Sequence, residues 1–338
     1  MNESVFRIPF DIMYQEFLRV LLKIGFSSGR AAVCARIFAE NSLDGVYSHG
    51  LNRFLPFVKL SAEKRIDIHA EPEKVASFGV LEQWDGHYAP GIIVALKCMD
   101  RAVAIAKEQG VGCVAVRNNS HWMRAGTYGL KAADAGCIGI CFTNTGSIIP
   151  PWGSGEPRLG NNPVVFAVPH KNGPILLDIA LAQFSNGKLQ LHSRAGTPLP
   201  ADGGYDTKGR LTNNADEIKK SKRVLPIGLW KGSGLAFMLE VIAVCLSGGK
   251  TTADLDKETT YDYGVSQVFI AIEPSAFWGA DEMDQKIEEI CAYYVSAAPL
   301  DAGEPVHYPG QGMKKTREQN LRLGIPSDRQ FWEKIQQL

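Results

Sequence analysis

The sequence predicts a mixed α/β protein of the α+β type, on three observations. Helical periodicity governs both ends of the chain. Short apolar strands punctuated by glycine and proline alternate with helices in its middle. At 338 residues the chain has core enough for about two domains.

The elements follow in order. Asp11 to Phe26 repeats apolar groups (Met13, Phe17, Val20, Leu21, Ile24) at helical spacing. Ser27-Ser28 caps a second helix whose buried face holds Val33, Cys34, Ile37, Phe38 and Asn41, and Asp44-Gly45 ends it. Phe54 to Lys64 is a third helix. Beyond Val75 the texture changes. Gly91 to Gln109 is a long helix, Gly112 to Arg117 a buried strand, Thr127 to Ala135 a helix and Ile138 to Phe142 a strand. Val164 to Val168 and Ile175 to Ile179 are further short strands. Gly196 to Lys222 is polar and reads as a long exposed excursion, of a length that is usually functional. Leu229 to Leu246 is an apolar helix, Ser266 to Glu273 a strand and Asp281 to Ala298 a helix. Pro299 to Gly312 is a second long loop, and helices Lys314 to Leu323 and Asp328 to Gln337 close the chain. Helices at both ends imply one helical layer, residues 1–75 with 299–338, packed beside a central sheet-containing domain, residues 76–298.

Composition narrows the function. The 36 basic and 36 acidic side chains cancel, which removes the electrostatic case for a nucleic-acid or anionic-membrane partner. The Met1 end, Asn2-Glu3-Ser4-Val5-Phe6-Arg7, lacks the apolar core of a signal peptide. The longest apolar run, Leu235 to Leu246, is short and carries Glu240, so it reads as a buried helix and not a membrane span. The seven cysteines are odd in number, scattered and without a Cys-x-x-Cys pair, as expected of reduced, buried thiols in a cytoplasmic protein.

The stretch Val46-Tyr47-Ser48-His49-Gly50-Leu51-Asn52-Arg53-Phe54 carries the strongest chemistry. His49 exchanges a proton near neutral pH, and Arg53 offers a planar fork suited to a carboxylate. Together with Ser48 they form the minimum kit of a 2-oxo acid reductase; a capped loop with a surface arginine is the bland alternative. No Gly-x-Gly-x-x-Gly turn joins a strand to a helix, and no Gly-x-x-x-x-Gly-Lys-Ser/Thr is present, so any dinucleotide is bound by another architecture. Lys231-Gly232-Ser233-Gly234 ahead of a strong helix suits an anion, or is only a glycine-loosened helix start. Pro309-Gly310-Gln311-Gly312 is a second backbone-rich turn. Asn118-Asn119-Ser120-His121-Trp122-Met123-Arg124 follows a strand, where pocket residues gather. Pro150-Pro151-Trp152-Gly153 and Leu159-Gly160-Asn161-Asn162-Pro163 either shape a pocket wall or connect strands. Asp178, ending the strand Ile175-Leu176-Leu177, needs a partner: it orients a histidine or caps the next turn. The other histidines (His69, His87, His170, His192, His307) lack ligand spacing, so no metal site is expected.

Taken together, these segments resemble the malate/L-lactate dehydrogenase family that lacks a Rossmann domain. Glu82-Gln83-Trp84-Asp85, Asn119 to Arg124, Pro150 to Gly153 and Trp230-Lys231-Gly232-Ser233-Gly234 fit its bacterial diketogulonate-reducing branch. The resemblance spans nearly the whole chain and implies a mostly antiparallel sheet. It also implies an NAD(H) or NADP(H) cofactor and a homodimer with a composite active site. By the same resemblance His49 is the proton donor, Ser48 orients the carbonyl oxygen and Arg53 holds the substrate carboxylate. His121 and Asp178 line the nicotinamide side, and Arg124 and Trp152 meet the polyol tail. Leu176, Leu177, Asp178, Ile179 and Ala180, the pair Trp230-Lys231 and the turn Gly310-Gln311-Gly312 contact the dinucleotide. The implied substrate is a sugar-derived 2-oxo acid. The alternatives are another 2-oxo or 2-hydroxy acid (malate, lactate, ureidoglycolate), a cyclic imino acid, or dinucleotide binding without catalysis. Two departures stand out: Asn161 and Ala182 replace hydroxyl residues of the family pattern.

Overall fold

The computed structural model describes residues 6–258, 263–277, 279–300 and 303–338. The stretch Asn2 to Val5, and Asp301 and Ala302 of the second long loop, lie outside the described residues.

The first helices form as their apolar spacing requires. β1 (Arg7–Ile8) leads into α1 (Phe10–Lys23), which buries Met13, Phe17, Val20 and Leu21 on one face. In α2 (Ser28–Leu43), Cys34, Ile37, Phe38 and Asn41 are buried, whereas Val33 points outward, 39 % exposed. Ser27 takes the N-cap position without a side-chain bond, so packing and not a cap fixes this helix start. After Gly45, at φ +85°, a 3₁₀ turn (Tyr47–His49) runs straight into α3 (Leu51–Ala62), which begins earlier than its periodicity predicts. Three of these helices interlock through aromatic rings. Phe17 stacks on Phe54 with centroids 4.1 Å apart, and Phe38 meets Phe54 edge-on at 5.2 Å.

Two strands of the central sheet have no counterpart in the sequence reading. β2 (Glu73–Phe78) is exposed along its whole length and so lacks the in–out alternation of a half-buried strand. It pairs with β3 (Leu81–Asp85). The elements α4 (Gly91–Gln109), β4 (Val111–Ser120), α5 (Gly126–Asp134), β5 (Ile138–Thr143), β6 (Val164–Val168) and β7 (Ile175–Ile179) fall where the pattern places them. The exception is β4, which continues beyond Arg117 through Asn118 at φ +51°. The polar excursion is structured. It follows α6 (Asn186–Ala195) and carries a small hairpin, β8 (Gly204–Tyr205) with β9 (Leu211–Thr212), and α7 (Ala215–Ser221). Asn214 caps α7 by accepting from the N–H groups of Asp216 and Glu217. The chain then forms α8 (Trp230–Ser247), α9 (Thr252–Leu255), β10 (Tyr263–Ile272), α10 (Ala280–Val295), α11 (Met313–Leu323), β11 (Ile325–Pro326) and α12 (Arg329–Gln336).

Among the described residues seven strands make one sheet in the order β2-β3-β4-β10-β5-β6-β7. Only the β3–β4 pair is parallel, so the sheet is mostly antiparallel, as the resemblance implies. β10 lies at its centre and β7 forms one edge. The two chain ends meet: Ile8 of β1 pairs with Ile325 of β11, and Arg7 Nη1 donates to Gly324 O at 2.7 Å. Trp332 and Ile335 of α12 enter the same core as Phe17 and Phe54.

The reading of Leu235 to Leu246 as a buried helix needs correction. α8 buries Gly232, Ser233, Ala236, Leu239, Ala243 and Ser247, while Leu235, Phe237, Met238 and Ile242 are exposed. Small residues let the helix lie close on the molecule, and its large apolar residues face outward. α10 buries no residue and leaves Ile290 and Tyr293 exposed. The thiols are free, but only Cys34, Cys98, Cys137 and Cys141 are buried; Cys245, on the outer face of α8, is exposed.

Candidate active site

The Ser48–His49 turn is held from beneath by α2. Asn41 Nδ2 donates to His49 O at 3.1 Å. Gly50 presses so closely on the helix that a Cβ there would stand 2.1 Å from Ser42 Oγ and 2.7 Å from the Ser42 backbone nitrogen. Only glycine permits this approach. Ser48 Oγ and His49 Nδ1 share a hydrogen bond of 2.8 Å. Arg53 follows one turn later, on α3, and lines the same cavity.

The end of β4 supplies the opposite wall. His121 Nδ1 accepts the Met123 N–H at 2.9 Å, which orients the ring. The His49 and His121 rings lie nearly parallel, 5.8 Å apart and 18° from coplanar. Asp178, on the edge strand, accepts the Gly126 N–H at 2.9 Å, and Arg124 Nε stands 3.7 Å away. Asp178 thus caps the first turn of α5, a helix earlier in the chain, and not the turn that follows its own strand. A Cβ at Gly126 would come within 2.6 Å of its carboxylate.

The electrostatics follow from enclosure. Burial pushes the His49 imidazole down to about 4, and the cationic Arg53 and Arg124 push the same way. His121 is lowered too, by burial and then by Arg53 and His49. Asp178 is open to the cavity yet walled by protein on its other sides. Its carboxyl is raised by burial, an effect that Arg124 and the Gly126 N–H oppose.

Of the predicted site residues, Ser48, His49, Arg53, His121, Arg124, Leu176, Asp178, Ala180 and Gly310 line one cavity of about 540 Å³. Leu177 and Ile179 do not, because alternate residues of a strand point to opposite faces. Gln311 and Gly312 stand behind Gly310, with Gln311 Oε1 accepting the Tyr308 N–H. Trp152, Trp230 and Lys231 lie outside this cavity in the single chain. They gather instead at the head of α8, where the Trp152 N–H donates to Ser233 Oγ at 3.0 Å. The Lys231 and Ser233 N–H groups donate to Gly228 O and Leu229 O, so those two amides are not open to an anion. Arg124, expected at the polyol tail, lines the cavity and is also engaged within the protein. Its guanidinium is buried and donates to Asp44 Oδ2 at 2.6 Å.

Several lining residues have no place in the sequence reading as site residues. Asp44 is one, and its signal was available: a carboxylate at a helix C-terminus opposes the dipole and so needs cations. Gln267 is another, a fully buried amide in an apolar strand that accepts from Asn119 Nδ2 at 2.7 Å. Thr145 donates to Asn161 Oδ1 at 2.9 Å, so the departure at 161 keeps a polar contact at the cavity wall. Phe184, Ser185 and Asn186, at the start of α6, also line the cavity, and no local pattern marks them.

The arrangement fits a dinucleotide without a glycine fingerprint. β7 is a sheet edge, so its outward backbone groups are not engaged by a further strand. Gly310, at φ +86°, lies against it, and a Cβ there would stand 2.9 Å from Leu176 N. Arg124 Nε is buried without a hydrogen-bond partner and has the Asp178 carboxylate 3.7 Å away.

Comparison with known proteins agrees along the full length. The family model described as malate/L-lactate dehydrogenase matches residues 8–336. The 2,3-diketo-L-gulonate reductase of Citrobacter koseri is 42 % identical over 98 % of this chain and 100 % of its own. That of Escherichia coli is 41 % identical with the same coverage. Among solved structures, malate dehydrogenase from Pyrococcus horikoshii superposes with a TM-score of 0.88 at 28 % identity, covering 98 % of this chain and 94 % of its own. Sulfolactate dehydrogenase from Methanocaldococcus jannaschii does so with 0.87 at 27 %, covering 98 % and 95 %. Sequence and fold together show that the chain belongs to the malate/L-lactate dehydrogenase family, oxidoreductases that work with a nicotinamide dinucleotide.

Proposed function

We propose that this chain reduces the C2 carbonyl of a sugar-derived 2-oxo acid, 2,3-diketo-L-gulonate, to 3-keto-L-gulonate. The observation that carries this reading is the Ser48–His49–Arg53 wall facing His121 across one cavity, in a chain whose full-length relatives bear that reductase name. NAD(H) is the proposed cofactor and NADP(H) the alternative; when bound, the reduced form supplies the hydride. Arg53 holds the carboxylate and fixes C2 in place. Ser48 orients the carbonyl oxygen. His49 gives that oxygen its proton, and because Nδ1 is engaged by Ser48, Nε2 is the nitrogen that exchanges it.

Charge explains how a histidine held neutral becomes an acid. Arg53 is one of the two cations that depress His49. A carboxylate against Arg53 offsets that cation, so binding of the acid favours the imidazolium. His121, Asp178, Leu176 and Gly310 line the nicotinamide side. A homodimer completes the reading. The exposed row Leu235, Phe237, Met238 and Ile242 of α8 asks for an apolar cover, and Trp230, Lys231 and Trp152 stand at its head.

The test is absorbance. Purified protein given 2,3-diketo-L-gulonate is expected to oxidise NADH or NADPH, and His49→Ala to lower that rate about 10²–10⁴-fold with the fold intact. A His49→Ala enzyme with most of its activity removes His49 from the chemistry. A panel of malate-, lactate- and ureidoglycolate-derived 2-oxo acids and a cyclic imino acid, at fixed cofactor, identifies the preferred substrate.

A further inference from the structure

Asp44 sits at the negative end of α2, with a side chain only 8 % exposed, and two guanidinium groups hold it there. Arg124 Nη1 donates to Oδ2 at 2.6 Å and Arg317 Nη1 to Oδ1 at 2.6 Å. Arg124 comes from the segment after β4 and Arg317 from α11, so one carboxylate joins three parts of the chain. Arg124 carries the connection onward: Nη2 contacts Met313 Sδ at 3.0 Å, and Nε faces Asp178 Oδ2 at 3.7 Å. α11 has a second hold on the same place, where Asn320 Nδ2 donates to Leu43 O at 2.9 Å. Gly310, just before this helix, and Met313, its first residue, line the cavity, with the Gly310 backbone against Leu176 of β7.

We propose that Arg317 is a positioning residue: through Asp44 and Arg124 it pins α11 across the site and so holds the Gly310–Met313 turn against the strand that grips the dinucleotide. The proposal rests on the reading of that strand as the cofactor site. Two features make it testable. Arg317 is 40 % exposed and belongs to none of the apolar clusters, so its truncation leaves the hydrophobic core in place. Its bond to Asp44 uses a single nitrogen, a contact that a lysine ammonium can also make.

NADH binding, read by fluorescence titration, and steady-state kinetics are compared for wild type, Arg317→Ala and Arg317→Lys. Loss of the pin is expected to weaken NADH binding and raise its KM about tenfold, the size of one charged hydrogen bond, while kcat stays nearly unchanged. Arg317→Lys is expected to restore most of the affinity. Unaltered NADH affinity in Arg317→Ala, a loss confined to kcat, or no rescue by lysine overturns the pin and leaves the cofactor reading standing. A wild type that binds neither NADH nor NADPH overturns the cofactor reading and the pin with it.

Discussion

His49 is the proposed proton donor, and its surroundings set two measurable consequences. The folded chain holds its imidazole down to about 4, below the ordinary 6.5 that the unfolded chain retains. Between those values the unfolded state binds the extra proton. The stabilisation is therefore full above about pH 6.5 and is lost as the pH falls toward 4. Denaturant titrations across that window are expected to slope less steeply for His49→Ala than for wild type. The second consequence concerns Arg53. Binding of a 2-oxo acid analogue near pH 6 is expected to take up protons, measured by calorimetry in buffers of different ionisation enthalpy. In Arg53→Ala that uptake should shrink, and KM should rise while kcat falls, since in the proposed mechanism one guanidinium both binds and positions. Zero proton uptake by wild type would place the carboxylate elsewhere.

Among the helices and strands, the turn before α11 and the outer face of α8 make separable predictions. Gly310 has φ +86°, where a side chain costs about 1–2 kcal/mol, and a Cβ would also meet Leu176 N at 2.9 Å. Gly310→Ala is expected to lower the melting temperature slightly and to weaken dinucleotide binding more than substrate binding, which titration of each ligand will separate. The α8 face carries Phe237 and Ile242, both exposed in the single chain. If the proposed homodimer forms across this face, a charge at Phe237 (Phe237→Glu) is expected to shift the molecular mass in light scattering from dimer to monomer, and a dimer that survives it would move the seam elsewhere. These elements were unequally legible. α8 was plain from its apolar length, but which face turned outward depended on where Gly232, Ala236 and Ala243 met the rest of the chain. β2 was illegible because Glu73 to Phe78 is exposed on both sides, and pairing alone makes it a strand.

Taken across the fold, the terminal helices act as the foundation of the turn that carries His49. Phe54 directly follows Arg53 and stacks on Phe17, within the cluster that α12 closes with Trp332 and Ile335. Phe54→Ala is expected to cost about 3–5 kcal/mol, read as a lower denaturation midpoint, with loss of activity that tracks unfolding. The pairing of β1 with β11 brings the two ends of the sequence into one layer, so that Arg317, far along the chain, reaches Asp44 beside the site.

Local chemistry announced much of this protein before any coordinates. Ser48, His49 and Arg53 lie within six consecutive residues, and their side-chain types and the helix breaks around them are properties of neighbours in the chain. The central strands showed themselves in the same way, through short-range alternation and punctuation. Folding alone decided the rest. That Arg124 pairs with Asp44, that Leu176 and Asp178 face the cavity while Leu177 turns away, and that Trp152 joins Ser233 all depend on partners distant in sequence. Such pairings arise from packing and the desolvation of charge, which act through space and leave no periodic trace along the chain.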